Sequence, residues 1–414
     1  MKTLMTIGAA VLLGAISGCA GPSPSQRPTP TATPVRSPSA TTQPAPTLTP
    51  TALPLPSPTA TGGPVPDGFV PVAGAGLSGG TVWLLGTAPC SSPPCTSLVR
   101  SLNDGQQWVG IPAPRTPLAG YGAATGVSQV LFADAENGWA YDPELWSTHD
   151  GGIRWEQVTG LAGPVIGAAV AGDQLILEVN LGQVGQPDGI ALEHGTVTQD
   201  AFATTTTLAD TTAGKLTGSA TGSAWFTWQS SATSGVATGL LATSNGGTTW
   251  ITETPPCSGD WALGGASLAL SGPDQLMAVC GGNGAAGSEA KQVLVSPDGG
   301  SQWSAVFATT VPPPGTGIEA GDLGPVAASG ADAVLGTASG ATELFYTTDG
   351  GASWRAATGY TANTGGTPWT SLAFLGPSQV LAVTTTGPSG GAMAGTAYLS
   401  TDAGASWKAL NPRA

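Results

Sequence analysis

Short apolar runs, none much longer than one β-strand, alternate with turns rich in Gly, Ser, Thr, Asn and Asp across residues 67–414. No run shows sustained helical periodicity, so the pattern predicts strands throughout. One stretch illustrates the unit. Apolar residues at 127–134 are followed by Trp139-Ala-Tyr141, then Glu144-Leu-Trp-Ser147, then Trp155-Glu-Gln-Val158. These are four strands in about 50 residues, each too short to be stable alone. Their sheets must bury their faces on neighbouring units.

An eight-residue pattern, Ser/Thr-x-Asp/Asn-x-Gly-x-x-Trp, marks the period. It occurs six times, ending at Trp108, Trp155, Trp250, Trp303, Trp354 and Trp407. The intervals between these tryptophans are 47, 95, 53, 51 and 53 residues. The 95-residue interval spans two periods, so one unit, the third, has lost its signature. Seven units then fill 67–414. The expected fold is all-β: a seven-bladed β-propeller of four-stranded sheets, six blades carrying the octad and the third degenerate. The octad falls between the third and fourth strands of each unit. Pairs such as Asn245-Gly246, Asp298-Gly299 and Asp349-Gly350 are hairpin signals, because glycine accepts positive φ. Side-chain oxygens of the Ser/Thr and Asp/Asn positions can hold the turn's own N–H groups, and the tryptophan anchors the fourth strand. The third position is Asn103, Asp150, Asn245, Asp298, Asp349 and Asp402. Two amides among four carboxylates indicate a structural acceptor rather than a calcium ligand.

These octads resemble the Asp-box, or BNR, repeat of sialidase-like propellers, photosystem II assembly factor propellers and sortilin-type receptors. The resemblance covers 67–414 and implies a propeller whose boxes lie on the outer rim, on the face opposite the ligand site, with no catalytic role. Those families differ widely in function, so it implies little chemistry.

The N-terminus gives an address. Lys2 precedes an apolar stretch from Leu4 to Ile16, too short to span a bilayer comfortably. Ile16-Ser-Gly-Cys19 resembles a bacterial lipobox. That implies a signal peptide over 1–18, cleavage before Cys19 and lipid on its thiol, placing the protein outside the cytoplasmic membrane at the cell surface. Residues 20–66 hold 14 prolines and no acidic residue, a composition that cannot bury a core and favours an extended, disordered spacer. Domain boundaries at 1–18, 19–66 and 67–414 follow.

Residues 67–414 carry eight basic residues against all 25 acidic ones, a net charge of −17. This argues against nucleic acid and against direct docking on anionic lipid. The membrane is expected to be reached through the lipid anchor alone. The partner is expected to be an envelope protein or glycan, and the chain a monomer. Beyond Cys19, four cysteines remain, an even count that in an exported chain points to disulfides Cys90–Cys95 and Cys257–Cys280, the latter flanking the first two strands of the fifth unit. Zinc is disfavoured because neither His149 nor His194 sits at ligand spacing from a cysteine pair. No motif calls for a cofactor.

In this topology the strand 2–3 loops and the unit-to-unit loops share one face. The segments 87–96, 229–238, 281–290 and 387–396 read as insertions there, and binding usually lives on such loops. Candidate ligand contacts near that face are Tyr121, Trp228, Trp261, Tyr360 and Trp369. Trp83, Trp139 and Trp225 occupy second-strand positions expected to be inter-blade core. The arginine triad of sialidases has no counterpart: Arg154 and Arg355 adjoin octad tryptophans, Arg413 ends the chain, and Arg100 and Arg115 remain. The Phe-Arg-Ile-Pro motif and the arginine-rich patch of the assembly-factor propellers are also missing, and no carboxylate pair stands out. The expected function is a surface-tethered, non-catalytic binding or scaffolding module; the alternative is a carbohydrate-active propeller.

Overall fold

The computed structural model describes residues 62–413 except residues 121, 183–188, 233–234, 286, 310–316, 339–342, 362–368 and 386–393. The signal segment, Cys19 and candidate Tyr121 lie outside the described residues. The strands form seven four-stranded antiparallel sheets spanning 70–111, 129–158, 165–209, 211–253, 265–308, 322–356 and 369–409, numbered blades 1 to 7 in chain order. Each sheet keeps its strands in chain order. First strands of adjacent blades pack together around the centre, except that the first strand of blade 3 meets the second strand of blade 2, and blade 1 closes on blade 7, giving a seven-bladed β-propeller.

The core lies between blades, which is why no single blade could fold alone. Val72, Trp83 and Leu85 of blade 1 meet Val130, Phe132 and Ala140 of blade 2. Trp139 and Leu145 of blade 2 meet Leu175 and Leu177 of blade 3. Ring closure uses Val82, Leu84 and Val99 against Leu381, Val383 and Ala397. Second strands are buried on both faces, because each is sandwiched by two neighbouring sheets; Thr81–Thr87 and Asp332–Ala338 each hold five consecutive buried residues. Trp83, Trp139 and Trp225 are 0%, 0% and 2% exposed, core positions as their placement predicted.

The octads are built alike. In each, the hydroxyl at the first position accepts from the fifth-position N–H; in blade 5 Gly300 N donates to Ser296 Oγ at 2.8 Å. The third-position Oδ1 accepts from the chain beyond, as Gln302 N does to Asp298 at 2.9 Å and Gln107 N to Asn103 at 2.8 Å. The fourth-position N–H of all six octads donates to the carbonyl of the strand 1–2 turn of the same blade, for example Gly299 to Asp274 and Ala403 to Ser378. The octads and the strand 1–2 turns therefore share one face. The two left-handed residues sit at positions four and five, not three and four as the Asn-Gly and Asp-Gly pairs suggest, with Gly299 at φ 73° and Gly300 at φ 99°. The side-chain bonds hold a loop longer than a two-residue hairpin turn.

The tryptophans divide into two groups. Trp108, Trp354 and Trp407 donate from Nε1 to the octad's own glycine carbonyl. Trp155, Trp250 and Trp303 instead reach the preceding blade, at Pro112 O, Thr205 Oγ1 and Thr254 O. Trp303 is half-buried, packing against Trp225 and Leu240 on one side and the Cys257–Cys280 cluster on the other. Trp303→Ala should cost about 2–3 kcal/mol in denaturant melts, less than the ~3–5 kcal/mol of a fully buried ring. Asp298→Asn should cost below ~1 kcal/mol, since the Oδ1 acceptor survives as in Asn103 and Asn245. Equal losses for the two variants would remove the acceptor role.

Two readings need adjustment. Gly63 exchanges both backbone hydrogen bonds with Gly110 on the outer edge of blade 1, and Val65 is buried, so blade contacts begin before residue 67. Composition hid this because the proline-rich pattern continues to Pro66. The segments 229–238 and 281–290 are not open loops: Ala224–Ala232 and Gly235–Thr243 stay paired to Ala232 and Gly235, and Leu276–Ala285 and Ser288–Ser296 to Ala285 and Ser288. Small and polar residues there still complete a ladder.

Candidate functional site

On the face opposite the octads, a cavity of about 180 Å³ opens between blades 4 and 5 near the inner strands. Blade 4 supplies Lys215 from its first strand (Thr211–Gly218), Thr227, Trp228 and Gln229 from its second, and Thr238 from its third. The connection to blade 5 supplies Pro255, Pro256 and Cys257, and the next first strand (Gly265–Leu270) supplies Ser267. Trp228 pairs with Gly239 across the sheet, and a Cβ at Gly239 would fall 2.2 Å from its indole. The missing side chain is what lets the ring lie on the neighbouring strand.

The cavity walls are braced. Cys257 is joined to Cys280 with a Cα separation of 5.5 Å, tying the connection to blade 5's second strand (Leu276–Ala285), within which Cys280 lies rather than flanking it. Thr238 Oγ1 donates to Cys257 O at 2.8 Å and Gln229 Nε2 to Ala262 O at 2.7 Å. A site held by a disulfide and cross-blade hydrogen bonds needs little ordering on binding. The other disulfide, Cys90–Cys95, closes the strand 2–3 loop of blade 1.

The aromatic candidates separate. Trp228 is half-buried on the cavity wall. Trp261, in a short 3-10 helix (Gly259–Ala262), packs partly buried over the Cys257–Cys280 cluster. Trp369 is the first residue of its strand and is 4% exposed, edge-on to Tyr360 and Tyr398 between blades 6 and 7. Tyr360 Oη accepts from Leu344 N at 3.0 Å. Trp369 and Tyr360 thus work as packing, because the Tyr360 ring lies against Trp369 and Tyr398 of blade 7.

Buried charge flanks the cavity, and sequence reading passed over it. Glu178, 3% exposed in the second strand of blade 3, directs its carboxyl between Gly167 and Gly214, the first strands of blades 3 and 4. Its Oε1 makes no hydrogen bond of good geometry, the Gly214 N–H beside it pulling only weakly. Burial pushes its pKa up to about 7 against the pull of Lys215. On the far side, Glu289 accepts from Leu323 N at 2.6 Å and faces Lys291 at 3.9 Å. Lys291 is fully buried and donates to the carbonyls of Gly321 and Glu289. Burial raises Glu289 to about 7 and lowers Lys291 to about 8, each opposed by the partner's charge. A signal existed, since Glu178 interrupts the apolar run Leu175-Ile-Leu-Glu-Val179. One arginine braces the frame: Arg100 reaches Gly151 O of the next blade's octad at 3.3 Å.

No family model and no curated protein matches the chain. Among solved structures it is similar to YCF48 bound to D1 peptide, at 15% identity over 82% of this chain and 93% of that one, with a TM-score of 0.50. It is similar to the polysaccharide lyase Uly1 at 9% identity, covering 85% and 91%, TM-score 0.52, and to the PL25 ulvan lyase at 11%, covering 84% and 96%, TM-score 0.53. At these identities what the chain shares with all three is the propeller fold.

Proposed function

We propose that this chain is a surface-tethered, non-catalytic binding propeller whose ligand seats in the cavity between blades 4 and 5. The observation that carries the reading is the wall itself: an indole, an exposed ammonium, hydroxyls and an amide converge on one braced recess. The buried carboxylates beside it support binding over hydrolysis. Glu178 and Glu289 are 3% and 6% exposed, sealed away from any substrate in the recess. The tether rests on the lipobox resemblance at Cys19 and the proline-rich spacer. A carbohydrate-active propeller is the second reading, favoured by the flat indole of Trp228, which suits a sugar face. YCF48 carries a peptide on a similar scaffold, and the lyases named above act on polysaccharide; both are analogies of fold.

Trp228→Ala and Lys215→Met should each weaken capture of the envelope ligand about ten-fold or more, the Lys215 variant with melting temperature nearly unchanged and the Trp228 variant still melting cooperatively. Normal capture by both variants would remove the cavity from the account. Cys19→Ala should release the protein or leave its precursor uncleaved; a variant cleaved to normal size with unchanged detergent partitioning would refute the anchor.

A further inference from the structure

A second recess lies on the same face, between blades 2 and 3, with a volume of about 430 Å³. It exists because the first strand of blade 2 (Gln129–Phe132) is only four residues long, the shortest of the seven first strands. The lip is filled instead by the connection from blade 1. That connection closes on itself through Ala119 N to Val127 O at 2.9 Å and Val127 N to Pro117 O at 3.1 Å. The recess lining includes one charged residue, Asp142, and is otherwise mainly apolar: Pro143, Pro164, Ile166 and Ala123. Ile166 is 37% exposed.

Asp142 is held there at some cost. Its φ is 73°, the left-handed region that non-glycine residues seldom adopt. The turn that imposes this is pinned on both sides, by Glu144 N to Gly126 O at 3.0 Å and Val165 N to Pro143 O at 3.0 Å. Burial raises the carboxyl's pKa, opposed by the Ser128 hydroxyl, which donates to Oδ2 at 2.5 Å. Among the described residues no Lys, Arg or His forms an ion pair with it. A half-buried carboxylate lining a mainly apolar recess, with no ion pair among the described residues, is a receptor for a cation on an apolar stem.

We infer that the blade 2–3 recess binds a primary ammonium on an alkyl chain, as a lysine side chain or a free alkylamine presents it. Ser128 occupies one carboxylate oxygen, so a single-point ammonium fits better than a guanidinium, which needs both oxygens for its paired geometry. The net charge of −17 over 67–414 favours approach of such a cation. This site is separate from the blade 4–5 cavity and does not depend on it.

The test titrates the full chain, by calorimetry, with n-butylammonium, 1,4-diaminobutane, Nα-acetyl-lysine methylamide, Nα-acetyl-arginine methylamide and n-butanol. The two amines and the lysine derivative should bind. The arginine derivative should bind about ten-fold more weakly, and butanol should not bind measurably. A stronger signal from the lysine derivative assigns a protein side chain; a stronger signal from diaminobutane assigns a free amine. Asp142→Asn should weaken the amines about ten-fold or more while keeping the fold, because Asn tolerates the left-handed region. Trp228→Ala should leave amine binding unchanged, which separates this site from the other. Absence of amine binding to the wild-type chain, equal binding to the Asp142→Asn variant, or arginine binding as tightly as lysine would each overturn the inference.

Discussion

Glu178→Gln should stabilise the protein by up to about 3 kcal/mol above neutral pH and by nearly nothing below pH ~4. The carboxyl's pKa rises from 4.5 to about 7 in the folded chain because burial penalises the charge. With the folded value raised, the unfolded chain loses this proton first as pH increases. The folded state therefore binds more protons between 4.5 and 7, and stability falls across that window. Below it the protonated acid and the amide are equivalent, so the variant gains nothing there. Above it the wild type keeps a buried charge with a poorly satisfied Oε1, and glutamine does not. Glu289→Gln should behave oppositely at neutral pH, because it leaves the fully buried Lys291 without its counter-charge. Urea melts of the three proteins at pH ~4 and pH ~8 decide the matter. A pH-independent difference between wild type and the Glu178→Gln variant would mean that Glu178 is not held neutral by burial.

The second large effect lies at the blade 1–2 interface. Trp83→Ala should cost about 3–5 kcal/mol. The ring is fully buried and lies parallel to Phe132, with centroids 3.9 Å apart and planes 6° from parallel. Phe132 in turn sits over Gly138, where a Cβ would fall 2.4 Å from the ring, and meets Trp155 edge-on. Removing the indole leaves a gap against the face of Phe132, and neither sheet can shift without disturbing its other neighbour. Trp83→Phe should cost much less, because it keeps the stack and deletes an indole N–H that has no partner. A loss under ~1 kcal/mol for the Ala variant, by the same melts, would mean that the interface closes around the gap and that the blades are not rigidly spaced.

The repeat made the architecture readable. Six octads at near-constant spacing predict seven units, and the structure has seven four-stranded sheets, the third lacking the octad. In that blade Asp200 substitutes a different contact, accepting from Ser147 of blade 2 at 2.7 Å. The second-strand tryptophans were legible as core because both faces of those strands meet a neighbour. The site was far less legible. Trp369 and Tyr360 read as ligand contacts from their place in the chain, yet the fold buries Trp369 and packs Tyr360 partly buried against it between blades 6 and 7. Trp228 became a wall residue only through Gly239, its partner on the next strand of the hairpin and invisible to any local pattern. Glu178 is a charge in an apolar run whose partner Lys215 comes from the next blade, whereas Lys291 faces Glu289 of its own strand and reaches beyond its sheet only to Gly321 O. Single-sequence spacing does not report which blades meet there.

The central claim is that the face opposite the octads carries the ligand. Its most direct test places a photoreactive amino acid at position 238, on the blade 4–5 cavity, or at position 248, on the exposed octad face. Irradiation of intact cells should yield a discrete cross-linked species from position 238 and none from position 248. A species formed from position 248 alone, or no species from position 238, would contradict the account.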